Sequence, residues 1–144
     1  MPTPQKPAAS DKRVHIPYPG NANFPFSSAV IVGPTVYLSG HLGLDPATHS
    51  IPADLDTEIK LLMDNFRETI VRSGATIEDL VYVQVFCSDV SLFDRFNAVY
   101  TTYFKLPLPA RAFLGSGALL FGAHFEIQGI AVKNSCLLYT SRCV

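Results

Sequence analysis

The stretch DLDTEIKLLMDNFRETIVRSGATIEDLVYVQVFCSDV, residues 54–90, contains the change of hydrophobic period that decides the fold. Between Asp54 and Ser73 the apolar residues Leu55, Ile59, Leu62, Met63, Phe66 and Ile70 recur at the 3.6-residue spacing of one helical face. Asp54 suits the N-cap, where a carboxylate meets unpaired backbone N–H groups, and Gly74 suits the stop. From Leu80 to Val90 the chain is apolar on both alternating faces, as a strand covered on two sides must be. The helix supplies one cover. The other has to come from a further layer, which another subunit would provide.

On the N-terminal side, AVIVGPTVYLSG (29–40) reads as two short strands joined at Gly33-Pro34, a hairpin. HLGLDPATHSIPADL (41–55) carries turn chemistry at Asp45-Pro46 and Pro52, so an ordered strand-to-helix connection is expected. Val14 to Phe26, rich in Pro, Gly and Asn, reads as one short edge strand followed by an irregular loop. On the C-terminal side, Phe93, Phe96, Tyr100 and Phe104 return to helical spacing over Leu92–Phe104, before Pro107 and Pro109 end it. ARAFLGSG (110–117) and HFEIQGIAV (124–132) read as two final strands with a Gly-rich connection. From the hairpin onward the order is β-β-α-β-α-β-β, an α+β fold with one mixed sheet and two helices on one face. Residues 1–12 are expected to be a mobile leader, 13–133 a single domain, and 134–144 a tail that need not be native.

The totals agree with one domain: 144 residues, 48% hydrophobic, are enough for a single core. A formal net charge of -1 gives no general attraction to nucleic acid or acidic membranes. There is no apolar run of about 18 residues and no signal-peptide pattern, so a cytoplasmic protein is expected. The three cysteines, Cys87, Cys136 and Cys143, are odd in number and widely spaced, which fits a reducing compartment rather than a disulfide framework. Cys87, inside an apolar run, reads as a buried small hydrophobe.

Phosphate loops, HExxH, CxxC and GxSxG are all missing from the sequence, and His15, His41, His49 and His124 lack ligand spacing, so no metal is expected. What remains is Pro109-Ala110-Arg111 at a strand start and, fifteen positions after the arginine, Glu126. An arginine clamps a planar carboxylate through two parallel hydrogen bonds, and a glutamate positions water or moves protons. By themselves the two are more simply a surface ion pair at Arg111 and a solvent-facing Glu126.

From about Asn23 to Lys133 the chain resembles the YjgF/Rid family, also called L-PSP or reactive intermediate deaminases. The resemblance is carried by YLSGHLGLDP (37–46), FNAVYTTYF (96–104), PAR (109–111) and HFEIQGIAVK (124–133), in the family's order. It implies a chorismate-mutase-like fold and a homotrimer whose sheets pack into a barrel-like core, with ligand clefts between subunits. It implies hydrolysis of 2-imino or enamino acids, such as 2-aminoacrylate and 2-iminopropanoate, to 2-keto acids and ammonia without metal or organic cofactor. By the same resemblance Arg111 holds the substrate carboxylate and Glu126 helps place the attacking water. Ser39, Gly40 and Asn97 match positions near the ligand.

Three positions depart from the family pattern. Phe26 stands where a tyrosine is common near the cleft entrance, Phe113 where a cysteine is common two residues past the arginine, and His41 where glutamine is frequent. The first two make the pocket more apolar, which points to larger or less polar substrates or to weak activity. The alternatives to a general imine deaminase are a non-catalytic trimer that binds small carboxylates or acts as a regulator or chaperone, a deaminase recruited to one catabolic pathway, and an L-PSP-type endoribonuclease. The last finds no basic groove or paired acid and base here.

Overall fold

The computed structural model describes residues 12–20 and 23–134. Of the expected leader only Lys12, and of the expected tail only Asn134, fall within those residues; the rest lies outside the described residues. Six strands form one sheet: β1 (Arg13–Ile16), β2 (Ala29–Val32), β3 (Thr35–Leu42), β4 (Leu80–Cys87), β5 (Ala110–Gly115) and β6 (Phe125–Val132). Their order across the sheet is β1-β2-β3-β6-β4-β5. All neighbours are antiparallel except β4 and β5, which run parallel and make the sheet mixed. The expected hairpin is β2-β3, with Val32 opposite Thr35.

Helix α1 (Leu55–Arg72) starts where the carboxylate of Asp54 accepts the Thr57 backbone N–H at 3.0 Å. It ends at Ser73, and Gly74 follows with φ +81, a conformation costly for a residue with a side chain. Ile59, Leu62, Met63, Phe66 and Ile70 are fully buried, as the periodicity predicts. They pack on Val36, Val83, Val85, Phe125, Ile127 and Ala131 from the facing side of the sheet.

The second helical segment is shorter than the spacing predicts. Only Phe93–Tyr100 is α-helical (α2); Val90–Leu92 before it and Thr101–Tyr103 after it are 3-10 turns. β4 likewise ends at Cys87 rather than Val90, because Asp89 turns the chain by accepting the Ser91 N–H and hydroxyl. Cys87 is buried, as expected.

A carboxylate ties the two layers together. Glu58 lies on the buried face of α1, beside Ile59, and is fully inaccessible. One of its oxygens accepts the backbone N–H groups of His124 and Phe125 at 2.8 and 3.2 Å, and the other meets His124 Nδ1 at 2.7 Å. The start of β6 is thereby fixed to the first turn of α1. A buried acceptor with three donors is stable, but removing it orphans those donors. Glu58→Leu should therefore destabilise the fold by about 3 kcal/mol or more, and Glu58→Gln by less, in urea denaturation.

Opposite the helices the sheet carries a second set of side chains. Val30, Tyr37, Ile130, Tyr82 and Ala110 are successive lateral partners and form an apolar row across five strands. A parallel row runs Leu42, Glu126, Phe86, Leu114. Tyr37 remains 51% exposed and Leu114 39%, so within one chain this face has no cover.

Candidate functional site

The residues singled out in the sequence fall into two groups on opposite sides of the sheet. Arg111 lies beside Val83 in the parallel β4-β5 register, and Val83 faces the helices. Glu126 lies beside Phe86, which points the other way. Two strand spacings of about 4.8 Å and three residues of about 3.3 Å place their Cα atoms on the order of 14 Å apart, with side chains diverging. One chain alone cannot bring both to one ligand.

The Arg111 group is built from β5 and α2. The guanidinium sits 4.6 Å from the Tyr100 ring centroid, with Phe113, Phe93 and Phe96 at 5.5, 5.7 and 5.9 Å. Its Nη2 donates to Asn97 Oδ1 at 2.7 Å, which fixes the plane of the fork. Among the described residues no carboxylate lies within 4 Å of it, so the surface ion pair is not made. An always-charged fork held among aromatic faces, with no carboxylate within 4 Å among the described residues, has the geometry that suits a planar carboxylate. Phe93, placed by the helical period in the buried stripe, is 43% exposed and belongs to this rim.

The Glu126 group lines a cavity of about 650 Å³ together with Phe26, Ser39 and Gly40. The β3-β6 pairing shifts register between Leu38 and His41, and Ser39, Gly40 and His41 there line the cavity. Gly40 belongs to that irregularity, and a Cβ there would run into the Glu126 carboxylate, so glycine lets the carboxylate lie over the backbone. Partial burial pushes the Glu126 carboxyl above its ordinary range, which makes it a stronger base when ionised. Ser39 donates its hydroxyl to Ser27 O at 2.6 Å and so ties down the loop behind the cavity. Ser28 Oγ, also on the lining, is buried with no hydrogen-bond partner among the described residues.

His41 forms part of the same wall. Its Nδ1 lies 2.6 Å from Ser39 O and its Nε2 2.8 Å from Thr69 Oγ1. A carbonyl can only accept, so Nδ1 carries the proton and Nε2 accepts from the threonine. Burial lowers its pKa to about 4, against the partly opposing bond to Ser39, with the Arg72 charge adding to the depression. Among the described residues no group of three or more His, Cys, Asp or Glu is placed to hold a metal ion.

Sequence reasoning missed Glu58, hidden in a helical stripe, and Tyr18 and Phe24, hidden in a Pro- and Gly-rich loop, although both aromatics line the cavity. Their spacing to Phe26 in YPGNANFPF was the available signal.

A sheet of this order with two helices on one face is an architecture found in many solved structures. One is RidA from a Psychrobacter species of Antarctic origin, with a TM-score of 0.74 and 33% identity, covering 78% of this chain and 91% of that one. Another is Escherichia coli TdcF with bound serine, with a TM-score of 0.74 and 29% identity, covering 78% and 91%. The bovine (Bos taurus) 2-iminobutanoate/2-iminopropanoate deaminase is 37% identical over 111 residues, 76% of this chain and 81% of that one. The sequence profile of the Endoribonuclease L-PSP family matches residues 19–133. The chain belongs to that family.

The buried His41 gives this site a pH signature. The unfolded imidazole titrates near 6.5 and the folded one near 4, so between those values the unfolded state binds the extra proton. Stability therefore falls as pH drops through that window. Between pH 7 and pH 5 the loss assigned to His41 is about 2 kcal/mol, and His41→Gln should lack it in urea titrations at the two pH values.

Proposed function

We propose that the protein hydrolyses 2-imino acids and their enamine tautomers to 2-keto acids and ammonia, at sites completed by two copies of the chain in a homotrimer. The observation that carries this reading is the uncompensated Arg111 fork on one face and the half-buried Glu126 on the other. The uncovered apolar rows around Glu126 favour burial against a neighbour, and a neighbour is also what must supply the missing cation. The names of the relatives support the chemistry, and the serine bound to TdcF supports a small carboxylate as ligand.

In this mechanism Arg111 of one copy holds the substrate carboxylate, and Asn97 keeps the guanidinium in plane. Glu126 of the next copy takes a proton from water as its oxygen adds to the imine carbon. The nitrogen of the carbinolamine takes that proton from Glu126, and as the C–N bond breaks and ammonia leaves, the hydroxyl gives its proton back to Glu126 and the carbonyl forms. An imine carbon is already electrophilic, so orientation and a proton path are what the site must contribute. Gly40 gives the carboxylate room, and the walls at Phe26 and Phe113 keep the region apolar. No organic cofactor enters any step. We place the reaction in the cytoplasm, a reading supported by the odd cysteine count. Among the described residues no helix is long and apolar enough to cross a membrane.

A carboxylate-binding trimer without turnover is the second reading, favoured by the bound serine in TdcF. RNA cleavage draws little support from a chain with 11 basic and 12 acidic residues. The deciding assay generates 2-imino acids with an amino-acid oxidase and traps the survivors with semicarbazide. Wild type should deplete the trapped imine; Arg111→Ala should lose roughly a hundredfold in kcat/KM and Glu126→Gln at least as much. Binding of keto acids by a wild type that depletes no imine would replace the first reading with the second.

A further inference from the structure

The cavity beside Glu126 is much larger than the methyl side chain of 2-iminopropanoate requires. Its volume of about 650 Å³ lies within the range of sites that enclose drug-sized ligands. Its charges are also of one sign. Asp45, Glu68 and Glu126 reach the lining, whereas among the described residues no lysine or arginine does. Away from the Arg111 guanidinium that the neighbouring copy brings to Glu126, a substrate carboxylate in this cavity would meet only repulsion. The end of the substrate that occupies this space is therefore the uncharged one.

One wall is prepared for such an end. Tyr18 meets Phe24 edge to face at a centroid distance of 4.6 Å, and Phe24 stacks on Phe26 at 5.4 Å. Tyr18 and Phe26 are edge to face at 6.4 Å, so each ring is held by two others. Such a cluster keeps its shape with little ordering cost, and Phe26, 47% exposed, still offers apolar surface to cover. A further aromatic ring is the group that gains most against it, through both area and edge-to-face geometry.

We propose that Tyr18, Phe24 and Phe26 form a side-chain subsite that selects 2-imino acids with a bulky apolar, above all aromatic, side chain over 2-iminopropanoate. The proposal rests on the deaminase reading given above. It divides the substrate between two copies: carboxylate at Arg111, reacting carbon at Glu126, side chain against the three rings.

The test compares wild-type kcat/KM for the imines made from alanine, leucine and phenylalanine by an amino-acid oxidase, then repeats the series with Phe24→Ala and Tyr18→Ala. The expected result is at least a tenfold preference for the phenylalanine-derived imine over 2-iminopropanoate, and a loss of most of that ratio in either variant. A wild type that hydrolyses 2-iminopropanoate as well as the larger imines overturns the subsite while leaving the deaminase reading intact. Failure to hydrolyse any of the three overturns both. The wild-type series decides even where a variant does not fold.

Discussion

Because successive residues of a strand point to opposite faces, β5 and β6 commit Arg111 and Glu126 to opposite sides of one sheet. That parity governs the rest of the account. The side facing the helices holds Arg111 in a frame of aromatic rings, and the open side holds Glu126 in an apolar row between Leu42 and Phe86. Each residue is incomplete in the way the other would remedy. Among the described residues no carboxylate lies within 4 Å of the cation, and no lysine or arginine lines the cavity around Glu126. In the proposed function, a ligand with an anionic head and an electrophilic carbon would bridge them where two copies meet.

The local backbone serves this division. The shift of register after Leu38 gives the Glu126 carboxylate a place over Gly40 and turns His41 inward, where it is held neutral between Ser39 and Thr69. Glu58 performs the complementary task at the same end of that strand pair, fixing the first residue of β6 by its backbone N–H. Glu126 is the next residue in that strand. A buried acid that serves the fold thus fixes the backbone at His124 and Phe125, two and one positions before Glu126.

Much of this was legible in the sequence. The α1 stripe and the apolar strand starting at Leu80 come from hydrophobic period, and the hairpin from the Gly33-Pro34 turn; the elements form there, although β4 stops three residues early. Arg111 and Glu126 were singled out by residue type and by the family resemblance. What the sequence withheld depends on contacts between distant segments. Parity of strands that are far apart in the chain is set by the β4-β5 and β4-β6 registers, and Glu58 is distinguishable from a solvent-facing glutamate only once His124 is brought to it. Phe93 follows the helical period yet lies at the rim as the first residue of α2, whereas Phe96, three positions on, is fully buried. Tyr18 and Phe24 have no period at all; their packing on Phe26 is a property of an irregular loop.

The most direct test of the shared site uses two inactive chains together. Arg111→Ala and Glu126→Ala are mixed in equal amounts, unfolded and refolded so that mixed oligomers form, and assayed for imine hydrolysis. A site that takes Arg111 from one copy and Glu126 from another predicts recovery of about a quarter of wild-type activity, the fraction of interfaces that pair the two intact residues at random. A mixture no more active than its separately refolded parents would contradict the account.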